Sequence, residues 1–344
     1  MNNFEKVGIA PAKFLFPTSY IESWATIACD QHTSNPKYWD DVKEYIGEDP
    51  SSLYLMMPEA WLGDESKKSH QENIPAVMKK YVEDDTLRDI GEGFMFIHRE
   101  MSNGYFRRGL LCLLDLDKYE FEPGNNALCR ATEGVVEDRL PARIEIRKKA
   151  PLEMPHAMIM INDASNLLMG QLDLLVRNRQ PYYNSELMMG GGKIRGWFIK
   201  NSNEFPIIER ALLTLLGASR FAQKGMLFAV GDGNHSLAAA KKCGDKYAMV
   251  EIINVHDPAV EFFPIHRLLD ADGNVVDYIH DEEECQRIAA EKGLKAQIMP
   301  PYPKEKLFKD VVKNGVLPKK TFSIGKAVDK RYYLECRALH EDSK

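Results

Sequence analysis

The sequence predicts a mixed α/β fold with flanking helices and a sheet that is at least partly antiparallel. Strand-like and helix-like patterns alternate along the 344 residues. The apolar runs Phe94 to His98 and Arg108 to Leu116 are joined through Asn103-Gly104, a strong hairpin signal, which argues against a doubly wound all-parallel sheet. A third apolar run, Met226 to Val230, breaks at Gly231-Asp232-Gly233 and becomes an Ala-rich stretch ending in Lys241-Lys242, a strand passing straight into a helix.

The elements follow in chain order. Residues 8–30 alternate apolar and small residues and lead to Asp30-Gln31-His32 and the break at Asn35-Pro36. Tyr38, Trp39, Val42, Tyr45 and Ile46 have helical spacing, closed by Gly47. Leu53 to Met57 reads as a short buried strand before Pro58-Glu59, and Ile74 to Val82 as an amphipathic helix. Met158 to Ile161 is strand-like. Between Tyr182 and Trp197, Gly190-Gly191-Gly192 requires a sharp turn or a close backbone approach. Ile208, Ala211, Leu212 and Leu215 predict a helix with Pro206 near its start and Gly217 past its end. Tyr247 to Asn254 is a continuous apolar strand. From Asp270 the composition turns acidic and then Pro-rich, which divides the chain into a core, 1–270, and a C-terminal αβ segment, 271–344, expected to pack back on that core.

Composition narrows the function classes. A net charge of −6 without long Lys or Arg runs argues against a nucleic-acid surface. No apolar run approaches the roughly 20 residues of a membrane span. Six cysteines show no Cys-x-x-Cys, and the polar start Met1-Asn2-Asn3 has no signal-peptide pattern, so reduced thiols in the cytoplasm are expected.

The chemistry concentrates in Asp232 to Ser236, where a carboxylate, an amide, an imidazole and a hydroxyl follow one another. Gly231 and Gly233 let backbone N–H groups approach a ligand, and the new helix offers unpaired N–H groups and its positive dipole end there. A tight turn capped by Asp232 or Ser236, with His235 on the surface, explains the same residues. The stretch lacks the third glycine of the dinucleotide fingerprint and the Gly-Lys-Ser/Thr of a P-loop. A second stretch, Arg130-Ala-Thr132-Glu133-Gly134 through Arg139, Arg143 and Arg147, reads either as a helix laced with ion pairs or as guanidiniums clamping phosphate. Asp30 is a loop candidate, His156 reads best as packed, and Lys193 beside the glycine triplet could reach an anion. Asp30, His32, His235 and His256 would serve a metal hydrolase, but no His-x-x-x-His spacing supports that set.

With Phe228-Ala-Val-Gly-Asp-Gly-Asn-His-Ser-Leu237 the chain resembles a bacterial and archaeal family catalogued as domain of unknown function ten-fifteen. The resemblance runs nearly end to end: Ala28-Cys-Asp30-Gln31, Pro58-Glu59, Arg130 to Gly134, Glu137 to Arg139, Arg143 to Arg147, Pro155-His156, Gly190 to Gly192, Pro264-Ile-His266-Arg267 and Pro318-Lys-Lys320-Thr321. The Asp-Gly-x-His element is also similar to the phosphate-binding element of the ParB/sulfiredoxin superfamily, which includes free-serine kinases. Ser236, Asn234 and Lys193 depart from the Arg, His and His that such relatives tend to carry. The family also tends to lie near genes of phosphorylated serine biosynthesis.

These resemblances imply a nucleotide-dependent phosphotransferase acting on a small hydroxyl metabolite, free serine first, with ATP or ADP as co-substrate and Mg²⁺. Asp232 or His235 would be the general base, with Glu133 in reserve, or Asp232 would be a Mg²⁺ ligand. Gly231, Gly233, Asn234, Ser236, Arg130, Thr132, Arg139, Arg143, Arg147, Lys193 and Lys320 would hold phosphate. Asp30, Glu59, His156, His266 and Arg267 would support the substrate. A phosphoserine-type phosphatase and a non-catalytic nucleotide-binding regulator are the alternatives.

Overall fold

Hydrophobic alternation and the Asn103-Gly104 turn organise the largest element, an eleven-stranded mixed sheet. The computed structural model describes residues 3–19, 21–33 and 35–339, with the side chains of Arg139 and Ala142 left out. Along the sheet the order is Tyr183–Leu187, Gly192–Ile199, Leu87–Glu100, Phe106–Asp115, Tyr247–Asn254, Ala157–Ile161, Phe228–Asp232, Cys129–Arg130 and Tyr119–Glu120. Ala12–Pro17 adds to Leu87–Glu100, and Ile9–Ala10 to Phe106–Asp115. The expected hairpin pairs antiparallel, with Met95 opposite Leu111. Parallel pairing occurs where Tyr247–Asn254 meets Ala157–Ile161 and where Phe228–Asp232 meets Cys129–Arg130.

Both faces of the sheet are covered. Helices Leu167–Val176, Phe205–Ala222 and Asn234–Lys242 bury Leu172, Leu212 and Leu237 against one face. On the other face the N-terminal segment, with Trp24 and Trp39, packs together with Tyr332, Tyr333 and Leu334 from the end of the chain. Phe322, Ile324 and the helix Leu307–Asn314 join Met158, Met160 and Ala229 in a third cluster. Its centre is a Phe262–Phe322 stack with centroids 4.0 Å apart.

A smaller unit stands beside this body. Val275–Ile279, His266–Leu269 and Lys295–Gln297 form an antiparallel three-stranded sheet, and helix Glu282–Lys292 packs on it through Cys285 and Ala289. Residue 270 falls inside this sheet, between two of its strands.

Two local expectations are corrected. Leu53 to Met57 is not a strand; Ser52–Leu55 is a 3-10 turn. The Ser51 hydroxyl accepts the Leu53 N–H, and the Ser51 and Ser52 hydroxyls donate to Trp24 O at 3.0 and 2.8 Å. These side-chain bonds replace a strand ladder. The 206–216 helix does not stop at Gly217 but continues to Ala222, because Leu216 and Ser219 still face the core while Gly217 looks into open space. Its turn-off is made by Lys224 and Gly225, both at positive φ.

Candidate functional site

The turn at Asp232 is set by two positions that accept no side chain. Gly233 has φ +82°, and a Cβ there would lie 2.8 Å from Ala157 Cα. A Cβ on Gly231 would lie 2.6 Å from Ile324 Cδ1. Strand Phe228–Asp232 therefore enters helix Asn234–Lys242 through a single residue, and no side chain caps the helix. The first-turn N–H groups and the positive helix end open beside the Asp232 carboxylate.

Asp232 is met by a lysine from far along the chain. Lys330 Nζ lies 3.1 Å from Asp232 Oδ2, the lysine side chain 8% and the carboxylate 26% exposed. Asp232 Oδ1 accepts the Gly233 N–H at 2.9 Å. Burial pushes this carboxyl up, but Lys330, then His156 and Lys320, outweigh it and hold the group below the usual carboxylate range. Glu133 behaves in the opposite way. Its Oε1 accepts the Lys320 N–H at 3.0 Å, yet burial dominates and pushes its pKa up, with Asp232 adding to the rise against Lys320 and Lys330. Two carboxyls in one cluster are thus driven apart, so that one stays ionised while the other is suited to exchange a proton.

The remaining wall comes from distant segments. Lys320 is exposed, holds φ +55°, and makes no ion pair within 4.0 Å among the described residues. Non-glycine residues at positive φ are uncommon and favour functional positions. His280 follows strand Val275–Ile279 and has an exposed side chain. Crowding, then Lys330 and Lys320, push its imidazole pKa down, opposed by Asp232 and Asp30. His156 Nδ1 is 2.6 Å from Tyr333 Oη, which accepts the Cys29 N–H at 3.3 Å and lies 3.6 Å from Cys29 Sγ. Burial, then Asp30, push the Cys29 thiol up to about 12, so it stays protonated. Glu59 N–H donates to Cys29 O, and Glu59 Oε1 accepts from Arg143 at 2.7 Å.

The order of these motifs along the chain decides its affiliation. The family described as protein of unknown function DUF1015 matches residues 9–340. The chain belongs to this family. No curated protein matches the sequence. Among solved structures, the fold is similar to a free serine kinase in complex with AMP, at 11% identity and a TM-score of 0.37, over 67% of this chain and 92% of that one. A mutant of a free serine kinase in complex with ADP matches at 12% identity and TM-score 0.37, over 67% and 93%. A conserved hypothetical protein from Pyrococcus furiosus matches at 12% and 0.34, over 65% and 90%.

Within this DUF1015 chain the structure gathers Asp30, Glu59, Glu133, Arg143, His156, Gly231, Asp232, Gly233 and Lys320 around one cluster. Ser236 sits half-buried in the first helical turn. Thr132 and Asn234 lock the 130–134 segment to the turn: Asn234 Oδ1 accepts Thr132 N–H at 3.2 Å, and Thr132 Oγ1 donates to Val230 O at 2.6 Å. His235 Nε2 accepts the Val136 N–H at 3.1 Å, which engages the lone pair a general base would use.

Several expected phosphate ligands stand elsewhere. Arg130 is buried and donates to Ala127 O and Lys224 O, so it ties loops together. Arg147 is held between Glu153 and Asp245. Lys193 lies exposed on Gly192–Ile199, five strands from Asp232 along the sheet, near Glu186. The glycine triplet beside it is a hairpin turn, where a Cβ on Gly191 would lie 2.6 Å from Tyr332 Oη. Of the residues expected to support the substrate, His266 is buried with Nδ1 accepting the Met299 N–H, and Arg267 neighbours it on the small sheet. The Arg139 side chain lies outside the described residues. The metal-hydrolase set is not assembled: His32 stacks on Tyr38, His256 Nε2 bonds Asn162, and no group of three or more His, Cys, Asp or Glu among the described residues could hold a metal. The sequence singles out none of Lys330, Tyr333, Cys29 and His280: Cys29 lies within Ala28-Cys-Asp30-Gln31, where Asp30 draws the attention, and the other three stand in no motif.

Proposed function

We propose that the protein is a nucleotide-dependent phosphotransferase acting on a small hydroxyl metabolite. The supporting observation is the oppositely displaced carboxyl pair, Asp232 and Glu133, beside an uncapped helix start and between Lys320 and Lys330. Phosphoryl transfer asks for positioning and charge neutralisation, which this set supplies. The first-turn N–H groups with Lys320 and Lys330 hold the nucleotide phosphates, the two lysines taking the place of the arginine absent at Ser236.

Glu133 is the general base in this reading. The acceptor hydroxyl oxygen bonds to the terminal phosphorus, its proton passes to Glu133, and the bond from phosphorus to the bridging oxygen breaks with its electron pair staying on the departing nucleotide. Glu133 ranks ahead of His235, whose Nε2 is engaged by Val136, and of Asp232, whose depressed pKa makes it a weaker base. Asp232 orients Lys330 and is the carboxylate that would hold Mg²⁺ together with phosphate oxygens, an arrangement normal for that ion. Magnesium would neutralise charge on those oxygens. Serine, named by the similarity of the Asp-Gly-x-His element, is the first acceptor to test.

The test is mass spectrometry of the purified protein with Mg²⁺ and serine or phosphoserine, each with ATP, ADP or no nucleotide. Phosphoserine is expected only where serine and a nucleotide are both present. Phosphoserine consumed without nucleotide would instead make the site a phosphatase. Bound nucleotide without turnover of any acceptor would make it a sensor.

A further inference from the structure

A second charged cluster lies at the far edge of the large sheet. Register sets Asn184, Arg195, His98 and Arg108 side by side across four neighbouring strands, on the face that buries Phe96 and Trp197 under helix Leu167–Val176. Asp173 of that helix binds His98 Nε2 at 2.9 Å and Arg108 at 3.0 Å, and Asp257 takes Arg108 Nε at 2.9 Å. Where the helix ends, the chain turns through residues 177–181 and leaves a cavity of about 490 Å³, lined by His98, Asp173, Arg177, Asn184 and Arg195. A cavity of about 550 Å³ shares Gln180, Pro181 and Trp197 with it and continues past Ile90, Tyr182 and Phe198. The cleft is therefore charged at one end and apolar at the other, and its size suits a small organic ligand. Five strand spacings, roughly 24 Å, separate it from Asp232 along the sheet.

The arginines of the charged end are not alike. Arg108 is closed by its two aspartates, and Arg179 by Glu204 at 2.7 Å. Arg195 has no ion pair within 4.0 Å and no hydrogen bond among the described residues. Its half-buried guanidinium rests against rings instead, 5.3 Å from Phe106 and 5.8 Å from Trp197. Stacking fixes the plane of a guanidinium and leaves its N–H fork free for an oxyanion. Arg177, at the helix end, is likewise without ion pair or hydrogen bond among the described residues. Asp173, the carboxylate in the lining, is already engaged by His98 and Arg108. The carbonyl end of the helix opposes an anion, but its partial charge is outweighed by two guanidiniums.

We propose that this cleft is a second ligand site, separate from the Asp232 cluster, that binds an aromatic phosphate monoester. The phosphate meets Arg177 and Arg195 with the Asn184 amide beside it, and the aromatic body lies along Pro181, Tyr182 and Phe198. A dianion with three terminal oxygens answers both guanidiniums, whereas a carboxylate answers one. Binding there is independent of phosphoryl transfer at Asp232.

The experiment titrates the full chain with phenyl phosphate, inorganic phosphate and benzoate, following the indole N–H resonance of Trp197, assigned from Trp197→Phe. Phenyl phosphate is expected to shift that resonance saturably and to bind about tenfold more tightly than inorganic phosphate or benzoate. Arg195→Gln is expected to weaken it about tenfold, and Arg195→Lys to recover part of the loss. Lys320→Met, at the other cluster, is expected to leave the Trp197 titration unchanged. If Arg195→Gln departs from the wild-type melting curve, Arg177→Gln, at an exposed position, is measured in its place. A Trp197 resonance unmoved by phenyl phosphate, or binding by the glutamine variant equal to wild type, overturns the site. Inorganic phosphate or benzoate bound as tightly as phenyl phosphate overturns the ligand class. A shift abolished by Lys320→Met places the anion at Asp232 and removes the second site.

Discussion

Two charged clusters lie on either side of one extended segment, and they are built to opposite rules. At the first, Glu251 on the central strand is fully buried between Arg107, at 3.3 Å, and Arg331, at 2.5 Å. Arg331 also reaches Glu335 at 2.7 Å, and Tyr183 Oη completes Glu335 at 2.5 Å. Even Gly109 is chosen for this cluster, since a Cβ there would lie 2.1 Å from Glu251 Oε1. The second cluster differs by one residue of chain: Lys330, beside Arg331, points to the partly exposed Asp232. There Glu133 keeps a raised pKa and Lys320 stays open to solvent. Charges sealed against opposite charges hold the segment still, even though Arg107 Nε, Arg331 Nε and Glu251 Oε1 have no hydrogen-bond partner there. Charges not so sealed are left to meet a ligand.

Substitutions can break that contrast. Asp232→Asn should lower turnover at least about 10³-fold and lower the melting temperature at neutral pH only by what its ion pair with Lys330 supplies, because the group acts on ligand charge more than on packing. A variant that unfolds instead would put Asp232 with the framework. Glu251→Ala should do the reverse, stranding two buried guanidiniums at a cost of about 3–5 kcal/mol in urea unfolding. Retained stability in that variant would show that the buried cluster is not what fixes Lys330. Lys320→Met, at an exposed cation, should weaken nucleotide binding about tenfold by calorimetry and leave the urea midpoint unmoved.

The smallest effects are in pH. Turnover should rise with pH through a value above the ordinary glutamate range, since Glu133 must lose its proton to act as base, and Glu133→Gln should abolish that limb along with most activity. Asp232 contributes in the other direction to stability. Its folded pKa is lowered, so its contribution is complete above the unfolded value and is lost as pH falls through the folded one. Wild type should therefore lose more stability than Asp232→Asn on acidification through that window, as followed by thermal melting.

The sequence made some of this legible and hid the rest for physical reasons. The strand–turn–helix at Asp232 is local: Gly233 needs a positive φ and the Ala-rich stretch needs a helix, so the motif declares itself. The Asn103-Gly104 hairpin and the mixed sheet are local in the same sense. Arginine function is not. Arg130 and Arg147 look like Arg143 in sequence, and only the fold shows that Arg147 finds Asp245 and that Arg130 finds Lys224 O. Lys330 and Tyr333 occupy an extended stretch with no motif, and His280 ends a strand of a separate small sheet. Their roles come from long-range closure. The 3-10 turn at Ser52–Leu55 was hidden likewise, because its two serines are satisfied by Trp24 O, in another segment.

The segment that divides the two clusters also sets a timetable. Asp232 leaves the ribosome about a hundred residues ahead of Lys330, which at ~5–20 residues per second is roughly 5–20 s of synthesis. During that interval the nascent chain carries the turn and its carboxylate while the strand holding Glu251 waits for Arg331. One stretch of chain then delivers both cations together, so the interior locks at the moment Asp232 gains its lysine. A half-made chain cannot have one without the other.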